Sequence, residues 1–325
     1  MLFWGKKSPD KTILLLDVES GSVGSALVRL SPGQQPKLFG EARFVVPLGA
    51  SRSGEQMAKA IEVAAHEAVR NASEIAARVR THGKVAELGE VEHAALFLSA
   101  PWGMPNLSEG RPDFLPSITD ALATEVARSF GYISSSLYTG AGAAAFGTRA
   151  TMGEEPCLVC VVTGEITELM RMDKEGVAAH ATIPTGSNNF LRTLKSHGNF
   201  SEHEARSLLR MGFEGQAANK NFSETIESAA AHFAGHFKDA AGEMLSPGDI
   251  FHVRVVAQEP VAEWFARALA QIISLAELFP QGGGVRALRP RHLSPHIAAH
   301  AESPDTLLML AALFVDNHFG VYPMR

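Results

Sequence analysis

The sequence predicts an α/β protein built from two similar halves, and three observations carry that reading. The chain has 325 residues, 46% of them hydrophobic and 20% charged, which is enough apolar material for two cores. Apolar runs grouped as a three-strand meander occur twice, between residues 13 and 47 and again between 157 and 183. Helical periodicities and further strand-like runs follow each group, as expected of strands covered by crossover helices.

In the first half, Ile13 to Leu16 forms an apolar run that meets Asp17, turns through Ser20, Gly21 and Ser22, and leaves as a second run with Ala26, Val28 and Leu30 on one face. Glycine and a carboxylate between two strands make a turn whose amides can approach a phosphate. Lys37 to Pro47 reads as the third strand. From Gln56 to Arg80, Met57, Ile61, Ala64, Ala65, Ala68, Val69, Ala72, Ile75 and Val79 keep helical spacing, so one face covers the sheet. Ala94 to Ser99 is a continuous apolar run ended by Pro101 and suits a central parallel strand. Leu115 to Phe130 is a predicted helix, Ile133 to Leu137 a short strand, and Ala141 to Phe146 a small-residue helical turn.

The order then begins again. Cys157 to Val162, Ile166 to Met172 and Val177 to Ile183 form the second meander, with a turn at Thr163, Gly164 and Glu165. Ser187 to Ser196, Glu202 to Met211 and Glu224 to Met244 are predicted helices. Ile250 to Val256 is a strand, and Val261 to Leu278 and Pro304 to Val315 are helices. The predicted division is 1–148 for the first lobe and 149–325 for the second.

Composition removes several classes of function. A net charge of -6 without a dense Lys/Arg run gives no footprint for nucleic acid. No apolar stretch reaches membrane-spanning length, and the opening Met1-Leu-Phe-Trp is a poor signal peptide, so a cytoplasmic location is expected. Cys157 and Cys160 lie within a strand-like run, which points their thiols to opposite faces as buried, reduced groups. His232 with His236, and His292 with His296 and His300, have helical spacing but lack the glutamate of a metalloprotease motif, so solvated histidines are expected. A dinucleotide turn at Gly21-x-x-Gly24 is opposed by Glu19, which stands where the first glycine belongs. Trp102, just after the central strand, suits either a ligand contact or closure of the core.

Two such halves resemble the actin and heat-shock-chaperone ATPase superfamily, with two ribonuclease-H-like lobes, and within it the FtsA and PilM branch. LDVESGSVGSALV (Leu16 to Val28) is similar to the first phosphate motif. VVTGEITELMRMDKEGVAAHATIPTGSNNFLRTL (Val161 to Leu194) is similar to the second motif and the strands beyond it, and SSSLYTGAGAAAFG (Ser134 to Gly147) to the connecting helix. The resemblance implies ATP and magnesium as candidate ligands. It assigns Asp17, Ser20, Gly21, Ser22, Thr163, Gly164, Glu165 and Thr167 to the nucleotide site and Asp17 to the metal.

The motifs depart from that pattern at critical atoms. Val161 occupies the position of the second carboxylate, Thr163 and Glu165 replace glycines, and Glu19 replaces the glycine that lets a phosphate close in. A carboxylate about 4 Å from a phosphate charge opposes binding by roughly 1 kcal/mol in water and about 4 kcal/mol at an effective dielectric of 20. The glycine pair that receives adenosine is absent after the strand ending at Val256; Gly282-Gly283-Gly284 follows Pro280 and reads as a helix stop. Residues 100–133 leave room only for a remnant of the family's extra subdomain. The resulting expectation is a catalytically degenerate scaffold rather than an enzyme. It would act in type IV pilus or cell-envelope and division assembly at the inner face of the membrane. Its expected partners are the cytoplasmic peptide of a membrane protein, envelope-assembly proteins or further copies of itself. The alternatives are a slow ATPase or phosphotransferase of the same fold, with Glu165 or Glu168 replacing the lost carboxylate, and an unrelated α/β dehydrogenase or ligand-binding module.

Overall fold

The computed structural model describes residues 10–49, 53–81, 88–153, 155–198, 200–213, 220–245, 252–259, 261–272 and 284–319. The opening tetrad, Phe251, Gly282 and Gly283 lie outside the described residues, as does the Val79 side chain.

The first meander is β1 (Lys11–Val18), β2 (Ser22–Leu30) and β3 (Lys37–Val45), paired antiparallel in sequence order. Helix α1 (Gly54–Thr81) crosses over to β4 (Val91–Leu98), which lies parallel to β1 as expected of its continuous apolar run. The predicted remnant segment holds a small hairpin, β5 (Gly103–Met104) with β6 (Asp113–Phe114), and then α2 (Pro116–Phe130). Strand β7 (Ser134–Thr139) adds parallel to β4 and leads into α3 (Gly140–Met152), a full helix where the sequence pattern indicates a turn. Trp102 is buried against the core and donates its indole N–H to the Glu19 carbonyl, so it closes the core.

The second meander is β8 (Cys157–Val162), β9 (Thr167–Met172) and β10 (Val177–Ile183). Helices α4 (Ser187–Gly198), α5 (Glu202–Phe213) and α6 (Lys220–Met244) follow, then β11 (His252–Val256) parallel to β8 and α7 (Val261–Ile272). Strand β12 (Val285–Ala287) extends this sheet, directly after Gly284. It is followed by α8 (Pro290–Leu293), β13 (Ala298–Ala299) and α9 (Thr306–Phe319). The two late strands escape sequence reading because they are too short to show a period.

The sheets run β13-β3-β2-β1-β4-β7 and β10-β9-β8-β11-β12. Alternation along the strands sorts their side chains into three cores. Leu14, Leu16 and Val18 pack with α1 and α2. Ile13 and Leu15 share a central core with Cys157, Val159 and Val161 and with α3 and α9. Leu158, Cys160 and Val162 pack with α4 to α7. The two thiols therefore do lie in different cores, both buried and free. Two helices are sandwiched between the sheets, which explains their composition: α9 is apolar nearly all round, and α3 is rich in alanine and glycine. A methyl group on Gly147 would lie 2.1 Å from Leu310 Cδ2, so glycine there leaves the space that the Leu310 side chain fills between α3 and α9.

Residues 298–319 return from the second half to the first sheet. β13 pairs with β3, and α9 packs on α3, β1 and β2, so these two elements cross the division drawn at residue 148 from sequence. Leu310, which is 1% exposed in the central core, should be among the more costly side chains to truncate. Leu310→Ala is expected to lower stability by about 3 kcal/mol in urea denaturation.

Candidate functional site

The β1–β2 and β8–β9 turns have the same build. Glu19 N–H donates to Ser22 O at 3.0 Å in one, and Thr163 N–H to Ile166 O at 3.0 Å in the other. Each turn follows the first strand of its meander, which has an antiparallel neighbour on one side and a parallel one on the other, and the two turns meet. Ser20 Oγ and Thr163 Oγ1 are 2.9 Å apart, and Glu165 N–H donates to Ser20 Oγ at 2.8 Å. A methyl on Gly21 would lie 2.6 Å from Gly164 Cα, and one on Gly164 would lie 2.4 Å from Gly21 Cα. Only glycine at both positions lets the two main chains touch. The Gly164 carbonyl then accepts from Asn188 N–H at 2.7 Å, and the Thr163 carbonyl from Ser187 N–H at 2.9 Å. Among the described residues, a cavity at this contact lined by Glu19, Gly21, Ser22, Gly164, Asn188 and Gln258, among others, is about 70 Å³. Small-molecule pockets usually span roughly 300–1,000 Å³.

Asp17 already has a cation. In the strand register Asp17 faces Gly24, and Gly24 faces Arg43 on β3. A methyl on Gly24 would lie 2.7 Å from the guanidinium, so this glycine lets Arg43 reach across β2 to Asp17 at 2.7 Å. The same guanidinium meets Asp305 at 2.6 Å, Glu19 at 3.3 Å and Ser22 Oγ at 3.0 Å. Asp305 also caps α9 by accepting from the Leu307 and Leu308 N–H groups. Gln258, from the loop after β11, lies beside Glu19 and Arg43. Three carboxylates thus surround one buried guanidinium, and strands of the first half, a loop of the second and the returning helix converge on it.

The other proposed ligands are also engaged. Glu165 receives Arg192 at 2.6 and 2.7 Å and Asn188 Nδ2 at 2.7 Å. Glu168 is fully buried and accepts from Ala100 N–H at 3.1 Å, with His180 Nε2 at 3.2 Å. Thr167 is buried as well and donates to Thr185 O at 2.7 Å, so it is part of the framework around the turn. The structure therefore brings together Asp17, Ser20, Gly21, Ser22, Thr163, Gly164 and Glu165, and adds Arg43, Gln258 and Asp305, which sequence reading missed. The one available signal was the alignment of Asp17, Gly24 and Arg43 across three adjacent strands. Among the described residues no group of three His, Cys, Asp or Glu side chains is placed to hold a metal, and His232 and His236 make only an edge contact with each other.

No protein-family model matches the chain, and no curated protein matches it to a significant degree. Solved structures do. One described as a PilM-PilN type IV pilus biogenesis complex aligns over 96% of this chain and 99% of its own, with a TM-score of 0.61 and 14% identity. The chain has the actin-like fold. The ethanolamine utilization protein EutJ from Carboxydothermus hydrogenoformans also shares it, over 94% of this chain and 90% of its own, with a TM-score of 0.53 and 17% identity. In the actin-like fold the resemblance assigns ATP and magnesium to the crevice between the two turns, and the residues present do not fit them. The metal ligand is paired with arginine, and the main chains of the two turns are in contact.

This packing perturbs the acids. Burial, and to a lesser degree the neighbouring Asp17 and Asp305, raise the Glu19 pKa to about 7, against the pull of Arg43 and of the Ser22 hydroxyl bonded to it. Asp17 is likewise raised, mainly by burial. A raised folded-state pKa means that the native protein holds a proton which the unfolded chain releases, so stability declines as pH rises from 4.5 to about 7. The Glu19 contribution to that decline is about 3 kcal/mol. Glu19→Gln should flatten this part of the stability profile in urea titrations at successive pH values, and should leave the variant more stable than the parent above pH 7.

Proposed function

We propose that the chain is a scaffold of the actin-like fold that keeps the two-lobed frame and no longer uses the crevice for ATP hydrolysis. The observation that carries this reading is the contact of the two turns at Gly21 and Gly164, where triphosphate would otherwise lie. Arg43 supports it, because an internal guanidinium neutralises Asp17 without an added ion.

The assembly role rests on the likeness to the PilM-PilN complex. A cytoplasmic scaffold of this kind would hold the cytoplasmic peptide of a membrane-bound partner during type IV pilus or cell-envelope and division assembly. No described helix is long and apolar enough to cross a membrane, which agrees with attachment through such a partner. A thermal-shift comparison tests the loss of nucleotide. Any rise in melting temperature on addition of ATP with magnesium at millimolar concentration should be the same in the parent and in Asp17→Ala. A ligand present at a hundredfold its Kd would stabilise by about 2.7 kcal/mol, and a rise of that size, abolished by Asp17→Ala, would restore the slow-ATPase reading.

A further inference from the structure

A second concave feature lies at the far edge of the second sheet, apart from the crevice. Its volume is about 410 Å³, and α7, β12 and the segment around α8 form its walls. Arg267, Arg286, Arg289, Arg291 and His292 line it together with one carboxylate, Glu263. That carboxylate is already bonded to the Arg289 guanidinium. Among the described residues, Arg286 and Arg291 have no carboxylate partner and are exposed. This concentration of positive charge occurs on a chain whose net charge is -6, so it is a local feature and not a reflection of composition.

The cluster is electrostatically crowded. Arg254 on β11 stands directly opposite Arg286 in the strand register. It is 8% exposed, and its Nη1 has no hydrogen-bond partner among the described residues. Burial and the Arg286 charge lower its pKa, and burial with Arg291 and Arg289 lowers that of His292. Like charges held together in a fold raise its free energy, and an anion bound between them removes that penalty. The geometry also prepares donors. Glu263 fixes Arg289, and the Arg289 N–H donates to His292 Nδ1 at 3.1 Å. A neutral imidazole that accepts at Nδ1 carries its proton on Nε2, which remains available to a ligand.

We propose that this pocket binds a compact anion bearing phosphate groups, presented either as a soluble phosphoanhydride or as a lipid headgroup. Several guanidinium forks facing one cavity match the oxygens of phosphate, which accepts from many directions and carries more than one charge in a small volume. The site does not depend on the crevice between the lobes.

Isothermal titration with pyrophosphate, and co-sedimentation with phosphatidylglycerol or phosphatidylcholine vesicles, test the proposal on the full chain. R286A/R291A should weaken pyrophosphate binding by about tenfold or more. R70A/R78A, which removes two exposed arginines of α1, should leave it unchanged. The single variants R286Q and R291Q keep side-chain bulk and should each give a smaller loss. Retention on phosphatidylglycerol vesicles alone, lost in R286A/R291A, would identify a lipid headgroup; pyrophosphate binding without retention would identify a soluble ligand. Absence of both, or binding that survives R286A/R291A, would overturn the proposal. Binding of ATP that survives those substitutions would instead locate a nucleotide in the crevice and count against the scaffold reading.

Discussion

The contact of Gly21 with Gly164 constrains everything around it. Each main chain occupies the space where the other would carry a side chain, so the two turns approach as closely as backbone permits. Ser20, Thr163 and the Glu165 amide then satisfy one another, and Asn188 and Ser187 take the carbonyls of the second turn. The Ser20 and Thr163 hydroxyls and the Glu165 amide are thereby bonded within the protein. The halves are further united by α3 and α9, which share one apolar core between the two sheets.

Arg43 provides the electrostatic counterpart of this closure. A buried carboxylate is tolerated only when paired, and here one guanidinium serves Asp17, Glu19 and Asp305. Removing such a cation would leave three acids in a dry site, which is why the arginine and the acids stand or fall as a unit. Because Asp305 also caps α9, the same interaction fixes where the returning helix begins. Burial, with a smaller push from Asp17 and Asp305, is what raises the Glu19 pKa to about 7 despite the guanidinium beside it.

Much of the architecture was legible because it is written in local patterns. Alternation along β1, β2 and β8 separates the cores, the continuous run of β4 marks a central strand, and Gly with Ser or Thr marks each turn. The departures from the resembled motifs at Glu19, Val161 and Glu165 were visible in the sequence. The partners these groups meet in the fold were not. Arg43 sits in an unremarkable strand, Asp305 lies more than 250 residues away, and Gln258 follows the strand where a glycine pair was sought. Their meeting depends on strand register and on the return of the chain, neither of which is a local property. The resemblance assigns Thr167 to the nucleotide site, and in the fold its hydroxyl donates to the Thr185 carbonyl.

The most direct test of the central claim is a cross-link across the crevice. Ser20→Cys with Thr163→Cys places two thiols where hydroxyl oxygens are 2.9 Å apart, close enough for disulfide formation after small side-chain rotations. Mild oxidation followed by mass spectrometry should show the intramolecular disulfide, formed equally fast with and without ATP and magnesium. Failure of the thiols to join, or their protection by nucleotide, would mean that the turns stand apart in solution and that the crevice remains a nucleotide site.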